Sequence, residues 1–180
     1  MATLQKLILL FILTSPSILF SQKSEMEDNF YHYPLALEVN ITPFTKIRLK
    51  FEYRLNEYNA LVASGARHYG AINPGVQTYL EYRRYFKPKV DSELFVAGKL
   101  GAGQSFTFGG NYGLIGASFG QKIYVGERKS FYFLFSEGFK VCPALKGDIE
   151  AAQSSGFRGL FDVVGPGSFI DVNINFGWSF

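Results

Sequence analysis

Cysteine is nearly absent from the 180 residues: Cys142 stands alone, so no disulfide can form within the chain. Histidine is almost as scarce. His32 and His68 lie at no metal-ligand spacing, which reads them as surface imidazoles of a lead segment and an outer loop. Charge of one sign is lacking too: a formal net charge of +3 without any basic run carries no nucleic-acid footprint. Long hydrophobic runs are missing as well. Leu7 to Leu13 gives seven uninterrupted apolar residues, against the ~20 that a membrane-spanning helix needs.

That short run has the layout of a processing signal. Met1 to Lys6 carry one positive charge, the apolar core follows, Ser15-Pro16-Ser17 breaks it, and Ser21 is a small residue before a cut at Gln22. The reading is a cleaved signal peptide over residues 1–21 and a lead over 22–34. With no cysteine at the cut, acyl anchoring is not expected. The exported chain is then either soluble or crosses a membrane as strands.

What the sequence does have favours strands. Hydrophobic residues reach 47% while charged ones still make up 18%, so the two must be interleaved, and 19 Gly accompany 19 Phe and 11 Tyr. Near the C-terminus Ile170, Val172, Ile174, Phe176, Trp178 and Phe180 alternate with Asp171, Asn173, Asn175, Gly177 and Ser179. A period of two puts each set on its own face of one strand. Ending on Phe180, in phase with the apolar face, the set Phe176, Trp178 and Phe180 resembles the C-terminal assembly signal of bacterial outer-membrane barrels.

A second strand repeats the pattern with charges: Ile47, Leu49, Phe51, Tyr53 and Leu55 alternate with Lys46, Arg48, Lys50, Glu52 and Arg54. Five charged positions in a row on one face do not suit an ordinary core, where an unpaired charge is prohibitive. They suit bulk water or a barrel lumen in which both signs meet.

Turn residues divide the chain into eight such strands: Leu35 to Thr42, Thr45 to about Leu55, Tyr58 to Arg67, Val76 to Phe86, Glu93 to about Ser105, Tyr112 to Tyr124, Phe131 to Val141, and a last one after the long segment Pro143 to Gly167. The fold class expected is all-β, a transmembrane antiparallel up-and-down barrel of about eight strands over 35–180. If the first strand starts in the periplasm, Asn56-Glu57, Lys87 to Ser92 and Gly126 to Ser130 are the short periplasmic turns and Pro143 to Gly167 is the largest outer loop. Tyr53, Tyr82, Phe86, Tyr124, Trp178 and Phe180 then gather at the periplasmic interface as an aromatic girdle. Which face of 131–141 points inward stays open, because Phe131, Phe133 and Phe135 compete with Tyr132 and Leu134.

This pattern resembles the small outer-membrane barrel proteins of Bacteroidota, in particular the uncharacterised DUF3575-type family. The carrying segments are Phe51-Glu52-Tyr53-Arg54-Leu55-Asn56, Tyr79-Leu80-Glu81-Tyr82-Arg83-Arg84-Tyr85-Phe86, the glycine-rich fifth and sixth strands, and the closing Asn175-Phe176-Gly177-Trp178-Ser179-Phe180. A signal ending Phe20-Ser21-Gln22 fits the same group. The resemblance implies fold and outer-membrane location and brings no defined activity.

Little in the sequence suggests catalysis. A lipid A deacylase of this architecture needs a serine and a histidine two apart near the last strand, and no histidine follows His68. Ser64 with His68 is the one serine–histidine combination left open. Cys142 reads as a structural thiol at the mouth of the long loop, and strand glycines read as relief of crowding. No cofactor or metal is expected. A soluble lipocalin-like carrier remains an alternative, although no Gly-x-Trp stands near the start and Trp178 is the only tryptophan. The feature with chemical content is the interior. Lys46, Arg48, Lys50, Glu52 and Arg54 are expected to meet Glu38, Glu81, Arg83, Lys99, Lys122 and Asp171 as a packed ion network, because eight strands enclose about enough room for side chains. The chain reads as a non-enzymatic envelope protein whose outer loops contact an unspecified ligand or partner, with outer-membrane lipid and the barrel-assembly machinery as partners and no nucleic acid. An outer-leaflet lipid-modifying enzyme is the alternative.

Overall fold

The computed structural model describes residues 34–42, 46–69, 74–86, 91–106, 110–146 and 169–180. The signal segment 1–21, nearly all of the lead with His32, and most of the 143–167 connection lie outside them.

Among the described residues there is no helix. The strands are β1 (Leu35–Thr42), β2 (Lys46–Asn56), β3 (Asn59–His68), β4 (Gly75–Phe86), β5 (Ser92–Ser105), β6 (Gly110–Val125), β7 (Phe131–Val141), β8 (Ala144–Lys146) and β9 (Asn173–Ser179). Each of β1 to β6 pairs antiparallel with the next, and β9 pairs with both β7 and β1. The result is a closed barrel of eight strands, which leaves no open sheet edge. β8 stands outside the circuit: it pairs with β6 at Asn111 and Tyr112, beyond the last β7 partner of that strand. It falls inside the segment that sequence reasoning treated as one connection. The last strand is also shorter than its alternation, since Ile170 makes only an isolated bridge to Phe139 before regular pairing resumes at Asn173.

The register is staggered. Cross-strand partners lead from Leu37 through Phe51, Ala63, Leu80, Leu100 and Ile115 to Val141 on β7. In the other direction they lead through Trp178 to Phe131, ten residues away on the same strand. Eight strands with that stagger tilt by roughly 40° to the barrel axis.

Connections 56–59, 86–92 and 125–131 share one end of the barrel, here the turn end; 42–46, 68–75, 105–110 and 141–173 share the other, the loop end. Local chemistry explains the tight turns. Asn56 Oδ1 accepts from the Tyr58 backbone amide at 3.0 Å and from Asn59 Nδ2 at 2.7 Å, an Asx turn in two residues. Gly126 takes φ 80°, where a side chain would strain the backbone, and the Lys129 amide donates back to its carbonyl at 3.2 Å.

Strict alternation separates the two faces. In β4 every second residue from Gly75 to Tyr85 is buried and every second from Val76 to Phe86 is exposed. β7 resolves its open question in the same way: Tyr132, Leu134, Ser136 and Lys140 face in, and Phe131, Phe135 and Phe139 face out. Two expectations need correction. Tyr124 does not join the aromatic girdle: sharing the phase of Lys122, it turns inward and donates to Glu93 Oε2 at 2.7 Å. His68 is no loop residue either, but the buried last residue of β3, paired with Lys46.

The inward glycines make room for rings. A Cβ on Gly120 would collide with Phe95, one on Gly103 with Tyr112, one on Gly101 with Tyr79 and one on Gly177 with Tyr132. Rings thus lie against glycines of neighbouring strands at Gly103, Gly120 and Gly177, while at Gly101 the β4 backbone of Thr78 and Tyr79 comes close. Gly177→Leu is accordingly expected to lower unfolding free energy by about 1–3 kcal/mol. Combined with Tyr132→Ala, the loss should be smaller than the two single losses added together. Urea titration of the refolded single and double variants measures both.

Candidate functional site: the barrel interior

Since the lumen collects the inward residue of every strand, charged side chains spaced two apart in sequence stack along its axis. The structure brings them together in two layers of different charge balance.

The layer toward the turn end is built around Arg83, fully buried. Its Nη1 donates to Glu38 Oε1 and to Glu52 Oε2, both at 2.5 Å, its Nη2 to Glu38 Oε2 at 3.0 Å and its Nε to Glu81 Oε1 at 2.6 Å. One planar fork therefore serves three carboxylates. Lys122 Nζ donates to Glu52 Oε1 at 2.8 Å, and Lys50 lies 3.6 Å from Glu81 and 3.8 Å from Glu38. Arg54 donates to Glu52 Oε1 at 3.0 Å and pairs closely with Glu93. Four cations meet four carboxylates in this layer.

Neutral groups complete it. Tyr85 donates to Glu52 at 2.9 Å, Tyr132 to Glu38 at 3.2 Å and Asn175 to Glu38 at 3.2 Å. The Arg54 guanidinium stacks 3.6 Å from the Tyr85 ring centre, and Lys122 sits 4.3 Å from that of Tyr132. Ala60 and Val62 on β3 and Phe95 on β5 fill the remaining volume.

The layer toward the loop end is organised by Asp171 and Asn173. Lys99 donates to Asp171 Oδ2 at 2.6 Å and Lys140 lies 3.9 Å from Oδ1. Arg48 donates to Asn173 Oδ1 at 2.7 Å, and Lys46 reaches the same oxygen at 3.5 Å. Here four cations surround one carboxylate.

All eleven residues singled out from the sequence thus lie on the inner face, seven of them in the first layer and four in the second. Sequence reasoning missed Glu93 and Lys140. Glu93 shares the phase of Lys99 in β5, a signal that was present; Lys140 sits in the strand whose faces compete in hydrophobicity. Phe176, Trp178 and Phe180 project outward from the seam strand, and the Phe180 amide donates to the Leu35 carbonyl at 2.9 Å.

Of the chemistry left open, Ser64 and His68 both face inward but are four residues apart on one strand, about 13 Å, far beyond hydrogen-bond reach. Among the described residues no group of histidine, cysteine and carboxylates is arranged to hold a metal ion. Cys142 is partly buried against Tyr112. The outer face is predominantly apolar, carrying Leu49, Phe51, Leu80, Leu100, Ile174 and Trp178, all exposed, with Arg67 on β3 and Thr78 and Arg84 on β4 at polar outward positions. Glu137 is the carboxylate that interrupts it, at an outward position of β7 opposite Phe119.

Comparison with protein-family models, with curated proteins and with solved structures returns no match to this chain.

Proposed function

We propose that the barrel resides in a bacterial outer membrane as a non-catalytic envelope protein, with its outer face in hydrocarbon and its loop end outward. The observation that carries this reading is the inversion of the usual protein plan. Arg83, Glu38, Glu52 and Lys122 are buried while Leu80, Leu100 and Trp178 rank among the most exposed side chains. In water, that much apolar surface invites aggregation; around a membrane barrel it is the required solvent contact.

Aromatic placement agrees. Tyr53, Phe86, Phe131, Trp178 and Phe180 lie outward near the turn end, where amphipathic rings match headgroup depth. A carrier of apolar ligands would need the opposite interior: the lumen is filled by ion pairs and tyrosines rather than by a greasy cavity. Signal cleavage after Ser21, insertion by the barrel-assembly machinery and contact with outer-membrane lipid belong to the same proposal.

Fractionation tests it. The protein is expected in the outer-membrane fraction after carbonate or urea washing, and its gel mobility should change on boiling as a closed barrel opens. Recovery in the soluble periplasm would overturn the reading.

A further inference from the structure

The two layers of the lumen differ in a way that the membrane reading does not require. Toward the turn end, Arg54, Arg83, Lys50 and Lys122 are matched by Glu38, Glu52, Glu81 and Glu93. Toward the loop end, Lys99 and Lys140 pair with Asp171 while Lys46 and Arg48 bond Asn173, and among the described residues no other carboxylate lies within ion-pair distance of these four cations. That is an excess of three positive charges in a largely buried space, where an uncompensated ion carries a heavy desolvation penalty.

A second observation points to a ligand. Among the described residues, several polar atoms lining the same layer have no hydrogen-bond partner, Ser64 Oγ, Tyr79 Oη and Arg48 Nε among them. These three residues are 7%, 4% and 1% exposed, so bulk water does not serve them. Tyr79 stands between two of the cations, its ring centre 5.1 Å from the Arg48 guanidinium and 5.8 Å from Lys99 Nζ. Ser64 is its cross-strand neighbour. Two hydroxyls and a guanidinium N–H, all able to donate, are therefore grouped with an unmatched positive charge.

We propose that this layer binds a small oxyanion of the phosphate class, entering from the loop end. A tetrahedral dianion has the oxygens to accept from Ser64, Tyr79 and Arg48 while Lys46, Lys99 and Lys140 offset its charge. Its small size follows from the packing: the Tyr112 ring over Gly103 already occupies the wall, and the balanced layer beneath closes the way through. This inference does not depend on what surrounds the outer face.

Isothermal titration of the purified full-length barrel in detergent tests it, with inorganic phosphate in one arm and phosphatidic acid in mixed micelles in the other. Saturable binding of one phosphate per chain is expected. Lys140→Met and Arg48→Met should each weaken it by about tenfold, and Asp171→Asn, which removes the competing carboxylate, should strengthen it. Lys129→Met, at the opposite end, should leave it unchanged. Binding of phosphatidic acid alone would keep the phosphate chemistry and identify a lipid headgroup as its source. Absence of saturable binding in both arms by the folded wild-type protein, or an affinity insensitive to Lys140 and Arg48, would overturn the proposal without touching the membrane assignment.

Discussion

Arg83→Met is expected to cost roughly 3–5 kcal/mol of unfolding free energy, the range seen when one partner of a buried ionic cluster is removed. The reason lies in sharing. Glu38, Glu52 and Glu81 each accept from this one guanidinium, so its loss leaves three carboxylates facing one another with only Lys50, Lys122 and Arg54 nearby. Arg83→Lys should recover only part of the loss, because an ammonium on a shorter reach cannot present parallel N–H groups to Glu38 Oε1 and Oε2 while bonding Glu81. Glu52→Gln in the Arg83→Met background should restore some stability by removing one of the stranded charges. Urea titration followed by fluorescence of Trp178, the only tryptophan, reads all three. A change under about 0.5 kcal/mol for Arg83→Met would show that the cluster is solvated rather than packed.

The barrel itself was legible because its strands keep a period of two with little interruption. Lys46 to Arg54 and Ile170 to Phe180 each assign their own faces without help from a neighbour, and closure follows once both faces are solvent-incompatible in opposite senses. Turn residues carried nearly as much: Asn56 and Gly126 sit where side-chain or backbone geometry demands them. Boundaries shifted by a residue or two, as at Gly110 against Tyr112, because pairing continues past the last clear apolar position.

What stayed hidden shares one physical cause: residues that fit either face. Tyr124 is amphipathic, so an interface and a hydroxyl-bonding lumen both suit it; only the phase set by Lys122 decides, and the ring turns in. In β7 the inward Tyr132 and Leu134 are nearly as apolar as the outward Phe131 and Phe135, so Lys140 was not recognised as a lumen cation. The imbalance between the two layers was hidden for a further reason. Charge counts along a strand do not show which carboxylate lies at the same height on a strand far away, and the ten-residue stagger sets that height. Glu38 and Arg83, 45 positions apart, meet; Lys46 and Glu52, on one strand and one face, fall in different layers.

The stagger also selects the position that tests the outer face most severely. Leu80 lies midway along β4, between Ala63 and Leu100, and is 66% exposed, among the most open side chains described. If water bathed it, Leu80→Arg would be close to neutral, within about 0.5 kcal/mol, as surface substitutions usually are. In hydrocarbon at mid-depth the same change should cost about 2–4 kcal/mol, whereas Phe86→Arg, at the turn end of the same strand and the same face, should cost only about 0–1 kcal/mol. The contrast between the two removes the intrinsic preferences of arginine, since both sites are outward, exposed and on one strand. Unfolding from phospholipid vesicles, read by the heat-dependent gel shift or by Trp178 emission, supplies both values. A depth-dependent difference of that size is the signature of a low-dielectric slab around the barrel; equal, near-zero costs at the two positions would mean that the apolar face meets water or a partner protein instead.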